Sequence, residues 1–308
     1  MAPVADLFKT LDFSVLKNVN VLVTGGASGL GALIATSFVE NGYGTIQSGH
    51  KQSQQDAELQ SPSQILTKRL NYVSTDVTDW QSQVAAFKSA ITYSSRRSID
   101  VVVAAAGVGG QPFIVRDEEP PSLDKDPPLP WSACLNIDVN AKGVYYTSKL
   151  AQHYFALHPS LQTKATPEVR KCLVVISSLA GYLELNDSDY TASKWAVRGL
   201  FRSTRSKMED LGYRMNLIAP WVMDTPMSRS LAEVCRKQRF PVGDGNDVAN
   251  VVIRSVVDDS ICGRALAVGA VQTFDLRDDI EGLNAGIVMK EYLEGEAKGF
   301  MSFFGQRV

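Results

Sequence analysis

Tyr190 and Lys194 stand four residues apart in YTASKWAVRGL (190–200), a spacing that puts a phenol and an ammonium side by side on one helix face. A neighbouring ammonium favours the phenolate, so a hydroxyl with a reference pKa of about 10 becomes usable as an acid or base near neutrality. That pair can move the proton of an alcohol while a hydride moves elsewhere. By itself, Tyr-x3-Lys also suits an aromatic ring packed on a lysine stem, so the rest of the chain has to decide.

A second pattern is VNVLVTGGASGLG (19–31). An apolar run from Val19 to Val23 leads through Thr24 into Gly25, Ser28, Gly29, Leu30 and Gly31, and then into an alanine-rich, helix-like segment. A strand, a glycine turn and a helix start bring backbone N–H groups up to a pyrophosphate, with the helix dipole adding favourable charge. The spacing Gly-x3-Gly-x-Gly departs from the Gly-x-Gly-x2-Gly fingerprint of dinucleotide sites.

These residues need a scaffold. Short β-branched runs recur at Val19–Thr24, Tyr43–Ser48, Leu70–Ser74, Ile99–Ala104, Lys171–Ser177, Arg214–Ala219 and Arg264–Gly269, with helical periodicity between them. That alternation predicts a single α/β domain, a doubly wound sheet of about seven parallel strands with helices on both faces. The domain is expected over 19–278, after an N-terminal extension (1–18) and before a C-terminal tail (279–308). The segment Gln111–Pro130 is too rich in proline to be a regular element.

Composition narrows the partners. With 308 residues and a net charge of -2, acids and bases dispersed, the chain carries no footprint for nucleic acid or an anionic membrane. Cys134, Cys172, Cys235 and Cys262 lie far apart without metal-ligand spacing, which predicts buried, reduced thiols and no metal site. Charges at Asp6, Lys9 and Asp12 interrupt what a secretory signal would need, and no segment is long and apolar enough to span a bilayer. A soluble, cytoplasmic protein is expected.

TGGASGLG, the run DVNAKG with Asn140, the turn ISSLAG with Ser178, and YTASK together resemble the short-chain dehydrogenase/reductase family, over roughly Asn18 to Val271. Within it, Tyr190–Met227 and TDVTDW look most like the prostaglandin-dehydrogenase-like and fungal secondary-metabolite alcohol dehydrogenases. The resemblance implies a Rossmann-type fold and NAD(P)-dependent interconversion of a secondary alcohol and a ketone. Tyr190 is then the acid/base, Lys194 its activator and a ligand of the nicotinamide ribose, and Asn140 the holder of a relay water. Ser178 would bond the substrate oxygen; counting back from Tyr190 by the family's usual spacing lands instead on Ser177, and both stay open. Asp76 and Val77 would meet the adenine, Ala106 and Gly107 the cofactor beyond the fourth strand, and Val222 and Thr225 the carboxamide. Relatives pair through long helices, which implies a homodimer or homotetramer.

Three positions depart from the family. Ala104, Ala105, Ala106 and Gly107 replace its Asn-Asn-Ala-Gly run, and Trp221 follows Pro220 where glycine is usual. At the end of the second strand Gly49, His50 and Lys51 stand where an acid would exclude a 2′-phosphate. NADP is therefore favoured slightly over NAD, although Ser28 occupies a place where many NADP-dependent relatives are basic. The apolar residues Trp221, Met223, Met227, Leu231 and Phe240 suit a medium-sized, largely apolar substrate, and equally a packed helix. Two rival readings are a non-redox enzyme on the same fold (isomerase, dehydratase or cyclase) and a nicotinamide-sensing binding protein.

Overall fold

A computed structural model of the chain describes residues 5–7, 9–16, 19–41, 46–49, 70–110, 122–124, 126, 131–157, 169–185, 188–278 and 295. Its centre is one sheet of eight strands: β1 (Val21–Thr24), β2 (Ile46–Gly49), β3 (Leu70–Val73), β4 (Val101–Ala104), β5 (Cys172–Ile176), β6 (Arg214–Pro220), β7 (Ala265–Val268) and β8 (Thr273–Asp275). They lie in the order β3-β2-β1-β4-β5-β6-β7-β8. The first seven are parallel, as the sequence predicts. The eighth, antiparallel to β7, is an addition that a run of only three residues does not announce.

Why these segments are strands is clear from their burial. β1, β4, β5 and β6 are buried at every position, as apolar runs covered on both faces should be. Helix α1 (Gly29–Glu40) packs against α7 (Gly245–Val257), which follows the short helix α6 (Arg229–Lys237), and on a separate side α2 (Trp80–Tyr93) packs against α4 (Val144–Phe155). The segment before β1 also contributes: Leu16 is wholly buried, and the Arg254 guanidinium of α7 donates to the Lys9 carbonyl at 2.8 Å. Of the four cysteines, three are buried but Cys134, on the short helix α3 (Trp131–Asn136), is exposed, which corrects the expectation for that thiol. No helix among the described residues is long and apolar enough to cross a membrane.

Strand order reverses between β1 and β4. Thr24, the last residue of β1, lies opposite Ala104, the last of β4, so the turns that follow both strands emerge side by side. A crevice at the carboxyl ends of strands is what such a switch point produces. Two further features shape it. Helix α4 is entered through a π-helical segment, Ile137–Gly143, and the long helix α5 (Ser188–Asp210) brings its first turns to the crevice.

Candidate active site

The glycine turn is built by close approach. Gly25 has φ +73°, and a Cβ there would lie 2.6 Å from the Ala106 Cα, while one on Gly31 would lie 2.2 Å from the Gly25 carbonyl oxygen. Neither position admits a side chain. Gly29, at φ +52°, instead faces space: its nearest neighbour would be the Thr225 Cβ at 4.0 Å. Here a side chain would project into the cleft at the N-terminus of α1, where first-turn N–H groups have no partner within the helix. That is a cradle suited to a pyrophosphate.

Opposite this turn lies the β4 exit. The Ala105 and Ala106 N–H groups donate to the Thr24 hydroxyl at 3.2 and 3.3 Å, so backbone donors and a threonine brace the place where asparagines are missing. Next to it Asn140, wholly buried, holds Val108 at two points: its Oδ1 accepts from the Val108 N–H at 2.8 Å and its Nδ2 donates to the Val108 carbonyl at 3.0 Å. The same amide donates to Asn136 Oδ1 at 3.0 Å and to the Ser193 hydroxyl at 3.1 Å. Asn140 therefore clamps the β4 loop to helix α5 from a π-helical turn, a geometry concentrated at functional sites.

Helix α5 carries Tyr190 and Lys194 on its first turns. The Lys194 ammonium lies 5.4 Å from the centre of the Tyr190 ring and donates to the Ile176 carbonyl at 3.2 Å. Burial pulls its pKa down from the ordinary lysine value to about 8. Two serines follow β5 on different terms. The Ser177 hydroxyl, buried, donates to the Lys194 carbonyl at 3.2 Å. Ser178 is part-buried, accepts from the Ala180 N–H at 3.1 Å, and opens the 3-10 turn Leu179–Gly181.

One cleft is lined by Gly25, Ser28, Gly29, Leu30, Gly31, Ala106, Gly107, Ser177, Ser178, Tyr190, Lys194 and Thr225. The structure thus brings the glycine turn, both serines and the Tyr-Lys pair to one place. Asn140 and Val222 are not in that lining; Val222 packs on the core. Asp76 and Val77 also stand apart, beyond β3. The Asp76 Oδ1 accepts from the Thr78 N–H and hydroxyl at 3.0 and 2.8 Å, and the Val77 carbonyl accepts from Gln83 at 2.7 Å. Lys51 lies outside the described residues, as do most of Gln111–Pro130 and the tail apart from residue 295.

The cleft has an apolar wall from the β6 exit: Trp221, Met223, Pro226 and Met227. The Trp221 indole is accommodated by turning toward the segment just before α7, where its N–H donates to the Pro241 carbonyl at 3.2 Å. Pro226 and the lining residue Ser228, which donates to the Met223 carbonyl, were not singled out in the sequence. The run Asp224–Ser228, rich in turn formers, was the available signal.

Residues 19–235 match the family model described as short chain dehydrogenase. The chain is similar to a 5'-hydroxyaverantin dehydrogenase of Emericella nidulans, 39% identical over 88% of this chain and 91% of that protein. A 5'-hydroxyaverantin dehydrogenase of Dothistroma septosporum is 36% identical over 90% of this chain and 92% of its own, and an NADP-dependent dehydrogenase of a Phoma species 32% over 96% and 88%. Among solved structures, the aldohexose dehydrogenase of Thermoplasma acidophilum superposes with a TM-score of 0.63 at 25% identity, covering 84% of this chain and 95% of that one. Motif order, sheet topology and these relatives agree: the chain belongs to the short chain dehydrogenase family.

Proposed function

We propose that this enzyme interconverts a secondary alcohol and a ketone on a medium-sized, largely apolar molecule in fungal secondary metabolism, using NADP in preference to NAD. The observation that carries the reading is the placement of Ser178, Tyr190 and Lys194 in the lining of the cleft that also holds the glycine turn. A cytoplasmic homodimer or homotetramer belongs to the same reading.

The glycine turn and the first turn of α1 would hold the pyrophosphate, Lys194 the nicotinamide ribose, and Thr225 the carboxamide. The bound nicotinamide supplies or accepts the hydride. In reduction, Tyr190 donates its phenolic proton to the substrate oxygen; in oxidation it takes that proton back. Lys194, its ammonium 5.4 Å from the ring centre, stabilises the phenolate that forms in buried surroundings where screening by water is weak. Ser178 holds the substrate oxygen with a hydrogen bond, fixing it within reach of the phenol. Asn140 acts as a positioning residue, because its side-chain amide is engaged on all sides; a relay through it has to use its main-chain carbonyl.

Preference for NADP is supported by the sequence Gly49-His50-Lys51, which offers no carboxylate at the strand end, and by two similar proteins named NADP-dependent dehydrogenases, of Phoma and of Cochliobolus lunatus. An apolar substrate is supported by the Trp221–Met223–Met227 wall. Two relatives are named for 5'-hydroxyaverantin, which makes that alcohol the first to try. Calorimetric titration with NADPH, NADH and the oxidised forms tests the cofactor: tighter binding of NADPH is expected, and tighter NADH binding overturns the preference. Absorbance change of the nicotinamide during turnover of 5'-hydroxyaverantin tests the chemistry, and dinucleotide binding with no redox change on any secondary alcohol would favour the non-redox reading.

A further inference from the structure

Outside the cleft, one buried carboxylate is gripped more heavily than any role in the sheet requires. Asp278 follows β8, and its side chain has no exposed surface. It accepts from the Arg198 guanidinium at 2.8 and 3.1 Å, from Arg202 at 2.7 Å and from the Tyr182 hydroxyl at 3.0 Å. Burial pushes its carboxyl up, but the two guanidiniums and the phenol outweigh burial and hold it below the usual carboxylate range.

The partners of Asp278 are not scattered. Arg198 is one helical turn beyond Lys194 on α5, and Tyr182 directly follows the 3-10 turn that Ser178 opens. The Arg198 guanidinium also lies 4.1 Å from the centre of the Tyr182 ring and donates to the Gly181 carbonyl at 3.4 Å. The turn also rests directly on α5: a Cβ on Gly181 would lie 2.9 Å from the Lys194 carbonyl oxygen. A carboxylate that only closed the sheet would have no reason to select the helix that carries Tyr190 and the turn that carries Ser178.

We propose that Asp278 is a positioning residue for the reaction, which, by holding Tyr182 and Arg198 together, fixes the Ser178 turn against helix α5 and so sets the separation of Ser178 from Tyr190. Loss of this grip leaves the glycine turn untouched and moves only the serine. The inference rests on the roles given above to Ser178 and Tyr190.

The test uses Asp278→Asn and, because an unbalanced buried guanidinium can cost folding, Tyr182→Phe, which keeps the ring under Arg198 and removes only the hydroxyl. Amide hydrogen exchange across residues 177–182 is expected to rise in both variants and to stay unchanged in the turn after β1; unchanged exchange at 177–182 overturns the proposal, and this arm needs no substrate. With 5'-hydroxyaverantin and NADP, kcat is expected to fall about tenfold while the KM for dinucleotide stays within about twofold. Adding Asp278→Asn to Ser178→Ala should cost less than about twofold more, because both changes remove the same contact. A full tenfold further loss in that background means the effect does not pass through Ser178 and overturns the proposal. Lys207→Gln, exposed on the same helix, serves as the unchanged control. Wild-type turnover in Ser178→Ala would remove the role given above to Ser178, on which the proposal rests, whereas an inactive Ser178→Ala beside a fully active Asp278→Asn removes only the positioning role.

Discussion

The Ser177 hydroxyl and the Lys194 carbonyl are hydrogen-bonded at 3.2 Å, which ties the end of β5 to the first turns of α5 and leaves Ser178 as the part-buried neighbour at the cleft. The two serines should therefore answer differently to alanine. Ser178→Ala is expected to lower turnover by about two orders of magnitude, the scale of one lost transition-state hydrogen bond. Ser177→Ala should instead cost about 1 kcal/mol of stability with a smaller loss in turnover. Thermal melts and kcat measured on both variants decide it; a larger kcat loss in Ser177→Ala reverses the assignment.

Tyr190→Phe keeps the ring beside Lys194 and removes the proton. Dinucleotide binding should persist, with kcat down by about 10²–10⁴. Normal turnover would sink the acid/base assignment.

Lys194 makes stability depend on pH in a defined direction. In the unfolded chain it holds its proton up to about 10.4, and in the fold it releases it near about 8. Between those values the unfolded state binds more protons, so this group's contribution to stability rises with pH across that window. Below it, the buried ammonium costs on the order of 3 kcal/mol. Lys194→Met should therefore be more stable than the parent below about pH 8, with the advantage shrinking as pH rises toward about 10. Denaturant titrations of both proteins across that range check it, and a difference that is flat with pH contradicts it.

Gly25→Ala combines a left-handed backbone with a Cβ placed 2.6 Å from the Ala106 Cα. Since the Cβ is fixed by its own backbone and the atoms it meets are backbone, neither can swing aside. A loss of at least about 2 kcal/mol is expected, read as a lower denaturant midpoint, together with weaker dinucleotide binding. The same change at Gly212, also at positive φ but with nothing within 4 Å of its Cβ, should cost less.

Much of the sheet is legible in the sequence because its central strands are covered on both faces. Runs such as Val101–Val103 and Leu173–Val175 allow no other reading once turns bracket them. Legibility fades toward the edges: the expected strand Tyr43–Ser48 overlaps β2 (Ile46–Gly49), which runs one residue further, while residues 43–45 lie outside the described residues, and β8 is too short to show a pattern. The cleft residues announced themselves through spacing, but the choice between Ser177 and Ser178 depends on which way adjacent side chains leave a strand end, and that is a three-dimensional fact. Asp278 is further from reach. Its partners Tyr182 and Arg198 are 96 and 80 residues away, and nothing local marks an aspartate that will be buried against them.

The π-helical segment has a consequence for how the chain can change length. A regular helix turns about 100° per residue, and a π turn takes in one residue more, so the rod before it and the rod after it run out of phase. Before and within it, Asn136 reaches Asp189 at 3.0 Å and Asn140 reaches Ser193, both on α5. At its end and after it, the Gly143 carbonyl and the Thr147 hydroxyl meet Gln83 on α2 at 3.0 and 2.8 Å. The segment works as a splice between two registers, each locked to a different neighbour. Deleting one residue here would restore a regular helix and swing one set of contacts a quarter-turn or more off its partner, whereas a deletion between elements needs only a little slack.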